Sequence, residues 1–436
     1  MHALRYMATT IVALLLSLAM PQNLVWAQST AADQTILRYQ RLLQRNSRDA
    51  TVYYRLGDAY MQKARESGDI AYIDLAEKAL QRCLDIAPEH SGAARHLAYA
   101  MYMRHGFDEA AAQAQKAVTL DPTDSHAYGI LGDAYLEVGK YEAAAHTYQC
   151  MIQLQGDLYA YSRLSALKSV QGDTAGAIAD LERAIQLGQA QERPPESIAW
   201  AMWQLGNEFL ALGQLPAAEA SYLEALNTFP DYYRALAGLA QVRAAQRRYP
   251  EAVDLYRRAI AIVPLPDYAA ALGDVYTKLG RPEDAQKQYD LVEYIGYLNT
   301  LNKVLYNREL AYFYADHDRK LPEALDLARQ ELEVRQDIYA YDVLAWALYK
   351  NDRLQEARTA MTEALKLGTE DARLFFHAGM IHHRLEEHEK ARDYLRRALA
   401  TNPYFHILHA EVAEHTLQAL EAQLGMAVLQ EQTDDR

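Results

Sequence analysis

Along most of this chain apolar residues recur every three or four positions, in segments a few turns long separated by breaks containing Gly, Asp or Pro. That period lines one stripe of a helix with apolar side chains, so the pattern predicts an all-α fold. The segments come in pairs that recur about every 34 residues. The first segment of each pair carries Leu or Ala followed by a small residue: Leu56-Gly57, Leu97-Ala98, Leu131-Gly132, Leu164-Ser165, Leu205-Gly206, Leu239-Ala240, Leu272-Gly273, Leu310-Ala311, Leu344-Ala345 and Ala378-Gly379. The second carries an alanine near its start: Ala76, Ala110, Ala144, Ala177, Ala218, Ala252, Ala285, Ala324, Ala357 and Ala391. Small residues at both places let two antiparallel helices cross closely. Pro88, Pro122, Pro230, Pro264 and Pro403 stand just past second segments, where a residue without an N–H ends the helix. Self-similarity at this period predicts one stacked array rather than the separate domains that the length alone would suggest.

In the fifth copy Leu205-Gly206, Phe209, Gly213, Ala218, Tyr222, Ala225 and Pro230 fill successive framework positions. This pattern resembles the tetratricopeptide repeat, in an exported bacterial type of protein, over nearly the whole chain beyond its first residues. The resemblance implies a right-handed superhelical solenoid of about ten helix-turn-helix repeats. It also implies that first helices line a concave groove, with the second, fifth, ninth and twelfth residues of each repeat facing it. Carried over position by position, the groove residues are Arg95, Tyr99, Tyr102, Tyr159, Trp200, Trp203, Asn207, Arg308, Tyr312, Tyr339, Asp342, Trp346, Tyr349, Arg373 and Phe376. Semi-exposed Trp and Tyr beside Arg and Asp are what binding hot spots favour. The groove is therefore expected to hold a peptide or partner protein, without catalysis, metal or cofactor.

The period also sets the organisation. Residues 1–27 read as a signal peptide: Arg5, an uncharged apolar run from Ala8 to Met20, then Pro21 and small residues up to a cleavage point after Ala27. This predicts an exported protein, periplasmic or secreted, with no stable membrane insertion after cleavage. Residues 28–49 form an N-terminal capping helix with Ile36, Tyr39 and Leu42-Leu43 on one face, and 50–187 hold repeats one to four. Residues 188–198 make a linker in which Pro194-Pro195 marks a hinge, 199–298 hold repeats five to seven and 299–404 repeats eight to ten. Residues 405–436 supply a C-terminal cap and tail. Caps shield the packing faces of a solenoid's ends. The first repeat carries extra residues around Glu66 to Tyr72, and the eighth is expected to open on an over-long helix, since 294–316 shows few turn signals.

Composition narrows the chemistry. Among 436 residues a formal charge of −14 argues against nucleic acid as a partner, because phosphate binding needs a basic footprint. The two cysteines, Cys83 and Cys150, fall two repeats apart and are expected to stay unbridged. No phosphate-binding loop, nucleophile elbow or His-Glu-x-x-His pattern is present. Seven histidines crowd the region from His377 to His415, and only His406 and His409 have ligand spacing within one segment. The Asp316-His317-Asp318 triplet falls at the end of a first helix, where capping and solvation account for it. Two rivals to the peptide groove remain: a glycan or envelope polymer stacked on the aromatics, and a metal site among the C-terminal histidines. Finally, 32 Tyr stand against 7 Phe, so those hydroxyls or ring faces need a structural address, many of them on repeat framework positions and a minority on the groove.

Overall fold

The computed structural model describes residues 31–301 and 307–434, and the signal-peptide expectation lies outside them. The described residues form 22 helices and no strand. A capping helix α1 (Ala31–Arg45) precedes four helix pairs: α2 (Ala50–Ser67) with α3 (Ala71–Ile86), α4 (Ser91–Met103) with α5 (Phe107–Leu120), α6 (Ser125–Glu137) with α7 (Tyr141–Leu154), and α8 (Leu158–Val170) with α9 (Thr174–Ala190). Three more follow: α10 (Pro195–Ala211) with α11 (Leu215–Thr228), α12 (Tyr233–Ala245) with α13 (Tyr249–Ile262), and α14 (Pro266–Lys278) with α15 (Pro282–Leu301). The last three pairs are α16 (Asn307–Asp316) with α17 (Leu321–Val334), α18 (Ile338–Lys350) with α19 (Leu354–Ala364), and α20 (Ala372–Arg384) with α21 (His388–Thr401). The chain ends on α22 (His409–Asp434). None of the described helices is long and apolar enough to cross a membrane.

Local chemistry sets the starts of the first helices. Asp49, Asp124, Asp157, Asp337 and Asp371 each accept backbone N–H groups of the following first turn, as an N-cap carboxylate does. The extra residues of the first repeat lengthen α2. Those around Pro194-Pro195 lengthen α9 and α10 and leave a linker of only a few residues, with Pro195 opening α10. That linker is bolted down rather than free, because Arg193 pairs with Asp157 at 3.0 Å. One boundary differs from expectation. Among the described residues of these two repeats the long helix is α15, which closes the seventh, and the described part of the eighth starts with α16, residues 302–306 lying outside the described residues.

The small residue after each leading Leu has a visible reason, and so has the tyrosine excess. A Cβ on Gly206 would come within 2.5 Å of the Tyr222 ring, so the glycine makes room for a buried aromatic from the second helix. The ring passes beneath the first helix and delivers its hydroxyl to that helix's inner face. Tyr222 Oη donates to Asn207 Oδ1 at 2.8 Å, Tyr148 Oη to Asp133 Oδ1 at 2.9 Å and Tyr289 Oη to Asp274 Oδ1 at 2.9 Å. Phenylalanine would fill the same space but leave each inner acceptor without its donor.

The array also closes on itself. In the first, third, fourth and fifth repeats the inner turn meets the linker that follows the repeat five places further on. Gly68, in the first repeat, abuts Val263 after the sixth. In the third, Gln336 N–H donates to Glu137 O at 3.1 Å, Ile338 N–H to Tyr141 Oη at 2.9 Å, and Arg335 Nε lies 2.7 Å from Glu137 Oε2. Thr369 Oγ1 donates to Val170 O in the fourth, and Asn402 Nδ2 to Leu210 O at 2.8 Å in the fifth. The expected open groove is therefore wound shut over much of its length.

Candidate functional site

Inside the second half of the coil, the inner helices α10, α12, α14, α16, α18 and α20, with the start of α22, enclose a cavity of about 1060 Å³. Of the fifteen residues that the register assigns to the groove, seven line it: Trp203, Asn207, Arg308, Tyr312, Tyr339, Asp342 and Arg373. Trp200 is half-buried beside Trp203, and the residues from earlier repeats have partners of their own. Arg95 Nη1 pairs with Asp124 at 2.9 Å, and Tyr99 and Tyr102 stack with ring centroids 6.4 Å apart. Tyr102 Oη donates to Glu137 at 2.9 Å, and Tyr159 Oη to Ser197 at 3.2 Å. Three assignments are corrected. Trp346, Tyr349 and Phe376 were expected to be semi-exposed, yet they are 2%, 8% and 1% exposed. They form one buried aromatic stack, Trp346 lying on Tyr349 at 4.7 Å and against Phe376 at 5.6 Å, because α22 covers the inner face of the last repeats.

The cavity wall carries ionisable groups of both signs, several of them outside any direct ion pair. Arg308 is tied at both ends of its guanidinium, to Asp337 at 2.7 Å and Glu331 at 3.2 Å. Arg234 and Arg373 form no ion pair among the described residues. Arg234 lies instead over the rings of Trp203 at 5.0 Å and Tyr233 at 5.2 Å, and Arg373 over Tyr312 at 5.1 Å. Asp267 and Glu309 on the facing helices also lack a cationic partner within ion-pair distance. Burial, and then the neighbouring Asp267, push the Glu309 carboxyl up to about 7, and burial raises Asp267 as well.

Beneath these lies a network of acids and imidazoles. His317 Nε2 is 2.7 Å from Asp274 Oδ1; burial opposes protonation of the ring, but Asp274, the Phe313 carbonyl and Asp316 together raise the His317 pKa. Tyr312 Oη donates to Asp342 Oδ2 at 2.6 Å, and Asp342 Oδ1 faces His377 Nδ1 at 2.9 Å. Trp346 Nε1 donates to Asp316 Oδ1 at 2.7 Å. His317 does cap the end of α16, its Nδ1 lying 2.7 Å from Phe313 O, but it and Asp316 turn inward instead of being solvated as the sequence had suggested, and within the triplet only Asp318 stays on the outside, against Lys350. Burial pushes His406 well below its ordinary range and His409 down to about 4. Burial opposes ionisation of Asp316, but the surrounding His409, His406, His377 and Arg373 hold it at about 2. At neutral pH that trio is one carboxylate beside two neutral rings.

Some of these residues were within reach of the sequence. Arg234 stands at the second position of the sixth repeat, and Asp267 and Asp274 at the second and ninth of the seventh, the registers that single out Trp200 and Asn207. Glu309, Asp316, His317 and His406 share no such register; the winding of the coil brings them in.

The comparisons with known proteins agree with this architecture. Tetratricopeptide repeat models match residues 50–90, 114–146, 204–265 and 343–404. The chain is 27% identical over 192 residues to the human protein O-mannosyl-transferase TMTC1, spanning 44% of itself but only 21% of that protein. A human IFIT1 dimer solved with m7Gppp-AAAA superposes with a TM-score of 0.51 at 13% identity, over 77% of each chain. Yeast Tom70 superposes with a TM-score of 0.39 at 12% identity, over 93% of this chain and 96% of that one. The repeat-model matches, with ten helix pairs among the described residues, identify the chain as a tetratricopeptide-repeat protein.

Proposed function

We propose that this protein is a non-catalytic scaffold that holds a segment of a partner protein or peptide inside its coil, outside the cytoplasm. Tetratricopeptide arrays serve protein–protein interaction in general, and the export reading rests on the signal-like residues 1–27. The observation that carries the proposal is the cavity wall itself. Two guanidiniums in no direct ion pair, Arg234 and Arg373, stand among aromatic rings on the same wall as two buried carboxyls, Asp267 and Glu309, also in no direct ion pair. A wall of this kind suits an amphoteric chain segment, which brings carboxylates, amines and apolar side chains together. The cavity's size is at or slightly above the roughly 300–1,000 Å³ typical of ligand pockets. Phosphate-rich ligands are disfavoured, since Asp267, Asp274, Glu309, Asp316, Asp342 and Asp371 all line it.

Selection from a random peptide library on the intact chain tests this. A family of peptides is expected that binds unmodified protein and loses at least tenfold in affinity with Trp203→Ala or Arg373→Gln. Peptide binding that ignores both substitutions, or a glycan array that binds where no peptide does, refutes the reading.

A further inference from the structure

We propose that Asp316, His406 and His409 form a binding site for a divalent transition-metal ion of the zinc or cobalt kind, opening into the cavity. Each offers one ligand atom, and the three atoms lie within 4.8 Å of one another. The residues come from separate places in the fold: Asp316 ends α16, His406 lies in the linker after α21, and His409 begins α22. Their convergence is a product of the tertiary winding and not of one helix face. One edge of the triangle, His409 Nδ1 to Asp316 Oδ1, measures 3.9 Å, and none exceeds 4.8 Å. Bonds of about 2.0–2.1 Å at tetrahedral angles separate two ligand atoms by about 3.3–3.4 Å, so that edge closes by roughly half an ångström around the ion.

The chemistry of the set fits borderline-soft cations. Two imidazoles and one carboxylate suit Zn²⁺ and Co²⁺, whereas Mg²⁺ and Ca²⁺ call for a shell made of oxygen. The surroundings match what holds ligands in place at metal centres. Trp346 Nε1 donates to Asp316 Oδ1 at 2.7 Å and so orients the carboxylate. His406 Nδ1 accepts the N–H groups of Leu408 and His409 at 3.2 and 3.3 Å. The ring proton therefore sits on Nε2, which faces Asp274 Oδ2 at 4.0 Å. That separation is too long for a hydrogen bond, so the Asp274 carboxylate acts on the ring only by its charge, and an ion at Nδ1 must displace the two long backbone hydrogen bonds. His409 stacks on the His406 ring at 4.3 Å, and the Trp346 and Phe376 rings back it. Asp316 and His406 both reach the cavity wall, so the remaining coordination positions open inward. Three protein ligands with an open position define an ion that can take up a further ligand.

The test uses the full chain, purified without a histidine tag, stripped with chelator and titrated with Co²⁺. One Co²⁺ per chain is expected, with visible absorption bands that Zn²⁺ abolishes and Mg²⁺ leaves unchanged. Asp316→Asn keeps an oxygen for the Trp346 indole while removing the charge, and is expected to weaken binding about tenfold or more. His406→Ala combined with His409→Ala is expected to abolish the bands. Replacing His383 and His388, whose rings lie 6.3 Å apart at another part of the last repeat, leaves them intact. Absence of bands from the unmodified chain overturns the proposal, as does their survival in the double variant or their loss with His383→Ala/His388→Ala. Should the double variant lack native helicity by circular dichroism, the Asp316→Asn titration decides. Peptide selection is scored on Trp203 and Arg373, so failure of the metal site and failure of the peptide reading are separate results.

Discussion

Substituting alanine at two turn glycines separates the closure of the coil from ordinary turn chemistry. Gly172 and Gly280 occupy equivalent left-handed positions, with φ of +80° and +66°. Either alanine suffers the conformational penalty for an L-residue there, about 1 kcal/mol. Beyond that the two sites differ. At Gly280 an added Cβ meets nothing within 4 Å, whereas at Gly172 it lies 2.5 Å from the carbonyl oxygen of Gly368. Ordinary contact begins at 3.4 Å, so turn and linker must separate by about 0.9 Å. That opens the seam beside the Thr369 hydrogen bond to Val170 O. A lost hydrogen bond of about 1 kcal/mol and an overpacking cost of similar size bring the total at Gly172 to about 3 kcal/mol. Urea unfolding followed by far-ultraviolet circular dichroism reads the difference, and small-angle scattering reads whether the coil widens. Gly172→Ala is expected to lose about 2 kcal/mol more than Gly280→Ala and to increase the radius of gyration. Equal losses and unchanged radii would refute the turn-to-linker contact as a source of stability.

Three further outcomes follow from the same interior. Because the Glu309 carboxyl is raised from an ordinary 4.5 to about 7, the folded chain holds its proton more tightly than the unfolded one. Its contribution is then complete below about pH 4.5 and lost as the pH rises through 7, so Glu309→Gln should unfold at higher urea than the parent at pH 8, by about 1–3 kcal/mol, and match it at pH 4. Trp346→Ala should cost about 3–5 kcal/mol in urea unfolding, since it empties the buried stack, whereas Trp203→Ala on the cavity wall should cost less than half of that. Both thiols should titrate as free in the unfolded, unreduced chain, and only Cys150 should react with a thiol reagent while the chain is folded, because Cys83 is fully buried.

The repeat and its register could be read directly from the sequence, because Leu-Gly pairs, second-helix alanines and terminal prolines are local signals that recur. The tyrosine excess was a signal too: Tyr148, Tyr222 and Tyr289 stand fifteen residues after Asp133, Asn207 and Asp274, and that interval is the hydrogen bond. What no local pattern encodes is the pitch of the coil. The meeting of Glu137 with Gln336, or of Leu210 with Asn402, depends on small rotations summed over five repeats. For that reason Trp346, Tyr349 and Phe376, read as an open face, are core, and Asp316 and His317, read as a solvated helix end, lie inside. Arg234 and Asp267 are a different matter. They stood on the groove registers throughout and carry the charge that an aromatic-centred reading passes over.

The seams between distant repeats bear on how the molecule comes apart. In a solenoid whose units touch only their neighbours, melting starts at whichever end is weakest and advances one repeat at a time. Here the ninth and tenth repeats cannot fray by themselves, since the linkers that follow them are fastened to the turns of the fourth and fifth. Those repeats lie mid-chain, covered by others on both sides. An unfolding front entering from the C-terminus would therefore have to release the middle of the chain at the same time, so these repeats, unlike a linear array, would lose their structure as a single cooperative block.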